Sequence, residues 1–148
     1  YKGAREMIAS NQKILVAHAG ERIYCIEPNG IWRHAAKIPA KDWAHLNTLL
    51  KQRQVIAEII IEEGFEKALK TYVDNIWSES FFAIAKDIRI MPAGTMSSAV
   101  ELLLFRDRVL FLDWEQLIAV EIANAATVKV VKGLFLQLQQ NSAPVEKI

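Results

Sequence analysis

The stretch Val100-Glu-Leu-Leu-Leu-Phe-Arg-Asp-Arg-Val-Leu-Phe-Leu-Asp113 constrains the fold more than any other part of the chain. Two short runs of aliphatic and aromatic residues are hinged at Arg106-Asp107. A polar break about two residues long between such runs is the pattern of a β-hairpin, here one entering a buried sheet.

The flanking segments alternate in period. A short helix is expected to open the chain through about Ser10, followed by a first strand over Lys13-Ile-Leu-Val-Ala-His-Ala19 that Gly20 closes. Ile23-Tyr-Cys-Ile26 reads as a helical turn or a second strand, and Glu27-Pro28-Asn29-Gly30 as a turn. Pro39 stands at the first helical position of a helix over Ala40 to Arg53, with Trp43, Leu46, Leu49 and Leu50 as its buried stripe. Val55-Ile-Ala-Glu-Ile-Ile-Ile61 is β-branched and nearly continuous, as a strand covered on both faces is; Gly64 then opens a helix from Phe65 to Asp74. Asp87-Ile-Arg-Ile-Met91 alternates polar with apolar until Pro92 and Gly94 stop it, and Leu117-Ile-Ala-Val-Glu-Ile122 is a further strand.

Asn124 caps the last helix. Val128, Val131, Phe135 and Leu138 follow its helical spacing and are the candidates for dimerisation, while Val130, Leu134 and Leu136 widen the stripe beyond one face, which calls for burial or a partner. Strands alternating with helices, plus one antiparallel hairpin, predict an α/β fold: a layered mixed β-sheet flanked by helices.

With 148 residues the chain suits one domain with a real core. No run reaches the roughly 18 to 20 apolar residues of a membrane helix, so a soluble protein with no membrane partner is expected. Lys and Arg total 18 against 17 acidic residues, a net charge of +1, which leaves no concentrated positive field. DNA contact would therefore come through another domain. Cys25 is the single cysteine, which excludes an internal disulfide and a cysteine zinc site and suits a reducing, cytoplasmic setting. The start at Tyr1, without an initiator Met or a leader, reads as an excised fragment.

The order of Tyr1-Lys2-Gly3, the Lys13-Ile-Leu-Val strand, Lys51-Gln-Arg53 ahead of Val55 to Ile61, Asp87-Ile-Arg-Ile-Met-Pro92, Glu101 to Asp113, Leu117 to Ile122 and the last helix with Phe135 resembles the TrmB family of transcriptional regulators. The resemblance covers nearly the whole chain. It implies one half of a phospholipase D fold, placed after a winged-helix DNA-binding domain and a linker helix, and serving sensing and dimerisation.

The phospholipase D superfamily carries His-x-Lys-x-x-x-x-Asp, in which the histidine attacks phosphorus and the lysine neutralises the phosphate. Matched at the hairpin turn, the three positions are Val100, Leu102 and Asp107; matched at the strand end, they are Arg106, Arg108 and Asp113. Neither frame supplies a nucleophile, so catalysis by that route is expected to be lost. His34-Ala-Ala-Lys37 through Asp42 is one residue too long between histidine and lysine, and it runs through Pro39 into a helix.

Histidines 18, 34 and 45 lack the spacing of helical metal ligands, and no phosphate-loop signature is present, so neither a metal nor a cofactor is expected. His18, at the end of the expected first strand, is the better binding candidate, because ligands gather at the carboxyl ends of strands in open α/β sheets. Glu62-Glu63 and Asp113 with Glu115 are rim carboxylates. Trp43 reads as core, whereas Trp32 beside Arg33, Trp77 and Trp114 would line an aromatic pocket for a sugar or other small polar ligand. The candidate ligand set is thus His18, Trp32, Arg33, Glu62, Trp77 and Trp114. The expected function is a non-catalytic sensor and homodimerisation domain of a TrmB-like regulator, set against a phosphodiesterase or nuclease fragment and a purely structural dimeriser.

Overall fold

A central strand covered on both faces organises the molecule. The computed structural model describes residues 9, 10, 13, 18–35, 37–72, 83–96 and 98–145. In chain order these form β1 (Arg22–Glu27), α1 (Gly30–Ala35), α2 (Ala40–Gln52), β2 (Ile56–Glu62), α3 (Phe65–Tyr72), β3 (Ala85–Met91), β4 (Val100–Phe105), β5 (Arg108–Asp113), β6 (Ile118–Ala123), α4 (Ala125–Gln140) and the short β7 (Ala143–Pro144).

The strands make one seven-stranded sheet in the order β6-β5-β4-β1-β2-β3-β7. β1, β2 and β3 are parallel, linked through helices, while β4, β5 and β6 continue the sheet as an antiparallel meander. This is the expected mixed α/β layout, and the hairpin turns at Arg106-Asp107 as its sequence requires. β2 runs Ile-Ala-Glu-Ile-Ile-Ile-Glu and is buried from Ala57 onward, because helices cover both faces there.

One face of the sheet carries Ile23, Cys25, Ile59, Ile61, Leu103, Phe105, Leu110 and Leu112, packed with Ile31 and Trp32 of α1, Leu46 and Leu50 of α2 and Phe65 of α3. The other face is covered by α4, whose Phe135 packs with Ile60 and Met91 and whose Val128 packs with Leu104 and Val109. Asn124 caps α4 as expected: its side-chain oxygen accepts the Thr127 N–H at 3.0 Å.

Three expectations change. Of the expected first strand, residues 14–17 lie outside the described residues, and His18 to Gly20 form a turn instead of a strand end. The sheet begins with Ile23-Tyr-Cys-Ile26 as β1, the strand option for that segment. The turn expected over Glu27 to Gly30 is shorter, because Glu27 ends β1 and Gly30 already starts α1. A side chain there would stand 2.7 Å from the Ser98 carbonyl oxygen, so only glycine lets the loop before β4 approach α1. The third change concerns α4. Val128 and Phe135 are buried against the chain's own sheet, with Val131 and Leu138 packed beside them, so the stripe expected to meet a partner is consumed by the core.

Candidate functional site

The carboxyl ends of β1 and β2, where binding residues were expected, hold a buried acidic cluster. Glu27 closes β1, and Glu101 near the start of β4 sits next to Leu102, the cross-strand partner of Ile26. The antiparallel register therefore sets Glu27 and Glu101 opposite each other, both buried. Trp114 donates its indole N–H to Glu101 at 2.8 Å. Among the described residues, one carboxylate oxygen of Glu27 has no hydrogen-bond partner. Burial, and then the neighbouring Glu101, push the Glu27 carboxyl well above the usual range. Burial raises Glu101 to about 7 against the opposing pull of the Trp114 hydrogen bond. The adjacent Cys25 thiol is raised too, by burial first and then by the two carboxylates. Two carboxyl groups in this setting disfavour being ionised together.

Three of the six expected ligand residues, Glu62, Trp32 and Trp114, are occupied in holding this end of the sheet together. Glu62 is buried and accepts the backbone N–H groups of Asn29 and Met96, each at 2.8 Å, tying the loops after β1 and β3 to β2. Its neighbour Glu63 is exposed and takes the Ala93 N–H at 3.4 Å. Trp32 is buried and packs edge-on against Phe65 with ring centroids 5.0 Å apart. Trp114 is equally buried, so neither indole lines an open pocket. Arg33 is exposed on α1. His18 is exposed at the opposite end of the sheet, in the turn that leads into β1, where its backbone N–H donates to Glu21 at 2.7 Å. Trp77 and the side chain of Trp43 lie outside the described residues.

The degenerate catalytic positions are spread along the hairpin. Val100 and Leu102 are half-buried on β4, whereas Asp107 is exposed at the turn and approaches Arg108 at 3.7 Å. In the alternative frame, Arg108 is bound to Glu121, and Asp113 accepts the N–H groups of Glu115 and Gln116 as a turn cap. No imidazole stands on β4 or β5 in either frame. Among the described residues, no three His, Cys, Asp or Glu side chains are grouped for a metal ion.

A formed cavity lies at the other end, between the amino end of β1, the hairpin turn and the first two turns of α4. This groove of about 380 Å³ has Tyr24, Leu104 and Val128 among its walls and brings together Arg22, Arg106 and Lys132, with Glu21 at its edge. Arg22 is bound to Glu58, which raises the guanidinium above its ordinary value; Glu58 also accepts from Gln139 at 3.0 Å. The Arg106 guanidinium stands 3.8 Å from Glu21. Lys132 places its ammonium 4.7 Å above the ring of Tyr24, and that ring is held edge-on by Phe135 at 5.2 Å. Arg106 has φ +54, a left-handed conformation that costs conformational energy for a residue other than glycine.

No protein-family model matches the chain, and no curated protein matches its sequence. Among solved structures the chain is similar to TrmBL2, described as an archaeal chromatin protein whose structure shows a novel mode of DNA binding. The TM-score is 0.65 at 14% sequence identity, over 98% of this chain and 52% of that one. The chain thus spans about half the length of TrmBL2, and the likeness is one of fold: a mixed sheet flanked by helices.

Proposed function

We propose that this chain is the non-catalytic regulatory domain of a TrmB-like transcriptional regulator, built as one half of a phospholipase D-like fold and working as a cytoplasmic homodimer. DNA is reached through a separate winged-helix domain. The observation that carries the reading is the likeness of 98% of the chain to about half of a DNA-binding chromatin protein. Two features support it. β4 and β5 offer apolar and ion-paired side chains where a phosphodiesterase needs an attacking histidine and a lysine. The outer surface of α4 exposes Val130 and Leu134, each about two-thirds accessible, and β6 adds Ile118 and Val120 on the same side of the sheet.

α4 then has two working sides. Val128 and Lys132 border the groove, and Val130 and Leu134 face outward. A ligand seated against the first side biases how the second meets its partner, provided that it binds one dimer geometry better than the other. The experiment is solution scattering of the dimer alongside a phosphodiester hydrolysis assay. A dimer without turnover supports the reading, and hydrolysis of a simple phosphodiester by the unmodified chain overturns it.

A further inference from the structure

We infer that two copies of this chain cross helix on helix at Gly133 of α4, with Val130, Leu134 and Gln137 of each copy packed around the crossing. The inference rests on the homodimer reading and names the surface which that reading needs. Val130, Gly133, Leu134 and Gln137 follow the spacing i, i+3, i+4 and i+7, so they share one face of α4, turned away from the buried Val128 and Phe135. All four are exposed and none is charged. Ala126, also exposed, extends the face by one turn. A helix that lies on a sheet and meets only water carries charged side chains on its outer face. The two lysines of α4 fall to one side of this face, Lys132 over the ring of Tyr24.

Gly133 has no explanation within its own chain. A glycine inside a 16-residue helix weakens that helix. Its backbone is not left-handed, unlike that of Gly20, Gly64 and Gly94, and α4 runs unbroken through it from Ala125 to Gln140. Among the described residues, a Cβ placed at 133 meets nothing within 4 Å. An approach from outside the chain supplies the reason, because a glycine at a helix crossing lets the two backbones come closer than a larger side chain allows. The occupant is a second copy because the face is complementary to itself. Val130 and Leu134 stand beside the notch that Gly133 leaves, so a twofold axis sets the apolar side chains of each copy against the notch of the other. A face without charge meets its own copy without like-charge repulsion and offers a charged partner nothing to pair with. Ile118 and Val120 of β6 continue the apolar surface beyond the helix.

The test is light scattering of the chain over a concentration series, the parent beside Gly133→Leu, together with oxidative cross-linking of Gly133→Cys. Lys67→Cys, exposed on α3 across the sheet, is the control. The expected result is a dimeric parent, self-association at least tenfold weaker in Gly133→Leu, and a covalent dimer from Gly133→Cys alone, since a disulfide needs Cα atoms within about 7 Å of each other. Gly133→Leu should also unfold at a higher urea concentration than the parent when both are dilute, because leucine favours the helix and its Cβ meets nothing in its own chain. A stabilised monomer that associates less is the signature of a glycine kept for a partner. Association of Gly133→Leu as tight as the parent's, or no covalent dimer from Gly133→Cys, overturns the crossing, while a dimeric parent leaves the homodimer reading standing. A parent that is monomeric at every concentration overturns both.

Discussion

Glu27 on β1 and Glu101 on β4 face each other across an antiparallel strand pair in the interior, with the Trp114 indole as the donor that holds Glu101. A buried carboxyl pair of this kind disfavours the doubly ionised state. Because the folded-state value of Glu101 is raised from 4.5 to about 7, the folded protein binds more protons than the unfolded chain between those values. Its contribution to stability is therefore complete below pH 4.5 and is lost as the pH rises through about 7, a swing on the order of 3 kcal/mol. Glu101→Gln keeps an acceptor for Trp114 and removes the charge. Urea midpoints at pH 5 and pH 8 should differ clearly for the parent and by less for the variant, in which the buried Glu27 still favours its protonated form, and the variant should be the more stable of the two at pH 8.

Gly30 opens α1 beneath the Ser98 carbonyl. Gly30→Ala forces a methyl group to 2.7 Å from that oxygen, and the backbone must shift to admit it. The expected cost is about 1 to 3 kcal/mol, read by thermal or urea unfolding. An unchanged midpoint would mean that the loop before β4 yields freely.

Asn124 accepts the Thr127 N–H with its side chain at the start of the 16-residue α4. Asn124→Ala should cost about 1 kcal/mol, and Asn124→Asp should retain the cap. A chemical denaturation series across the three proteins checks the order.

The two sides of α4 respond differently to substitution. Phe135 is buried against Ile60 and Met91, so Phe135→Ala should destabilise the fold by about 3 to 5 kcal/mol. Val130→Glu and Leu134→Glu lie on the accessible side and should leave the stability of the monomer within about 0.5 kcal/mol. Circular dichroism at dilute concentration separates the two classes.

What the sequence revealed follows the range of the forces involved. The hairpin was legible because two apolar runs flank a two-residue polar break, and β2 because Val55 to Ile61 is β-branched and unbroken. α1 was not, since Pro28-Asn29-Gly30 carries turn chemistry and the helix that follows has six residues held by contact with the loop at Ser98. The acidic pair left a partial signal. Glu101 shares its strand face with Leu103 and Phe105, which marks a carboxyl in a core position, but only the pairing of β4 with β1 names Glu27 as its neighbour. Trp32 and Trp114 read as pocket walls because indole is amphipathic, and burial beside Phe65 and Glu101 decided otherwise. The cationic groove was illegible for a simpler reason. Arg22, Arg106 and Lys132 are far apart in sequence and meet only after the sheet is ordered β4-β1 and α4 has folded back across it.

The central claim is that the exposed side of α4 joins two copies of this chain into a regulatory dimer. Light scattering of the eluting peak tests it most directly, with the parent beside Val130→Glu/Leu134→Glu. The account predicts twice the mass of one chain for the parent and a single-chain mass, with an unchanged fold, for the double variant. A parent that runs as a monomer, or a double variant that stays dimeric, would contradict it.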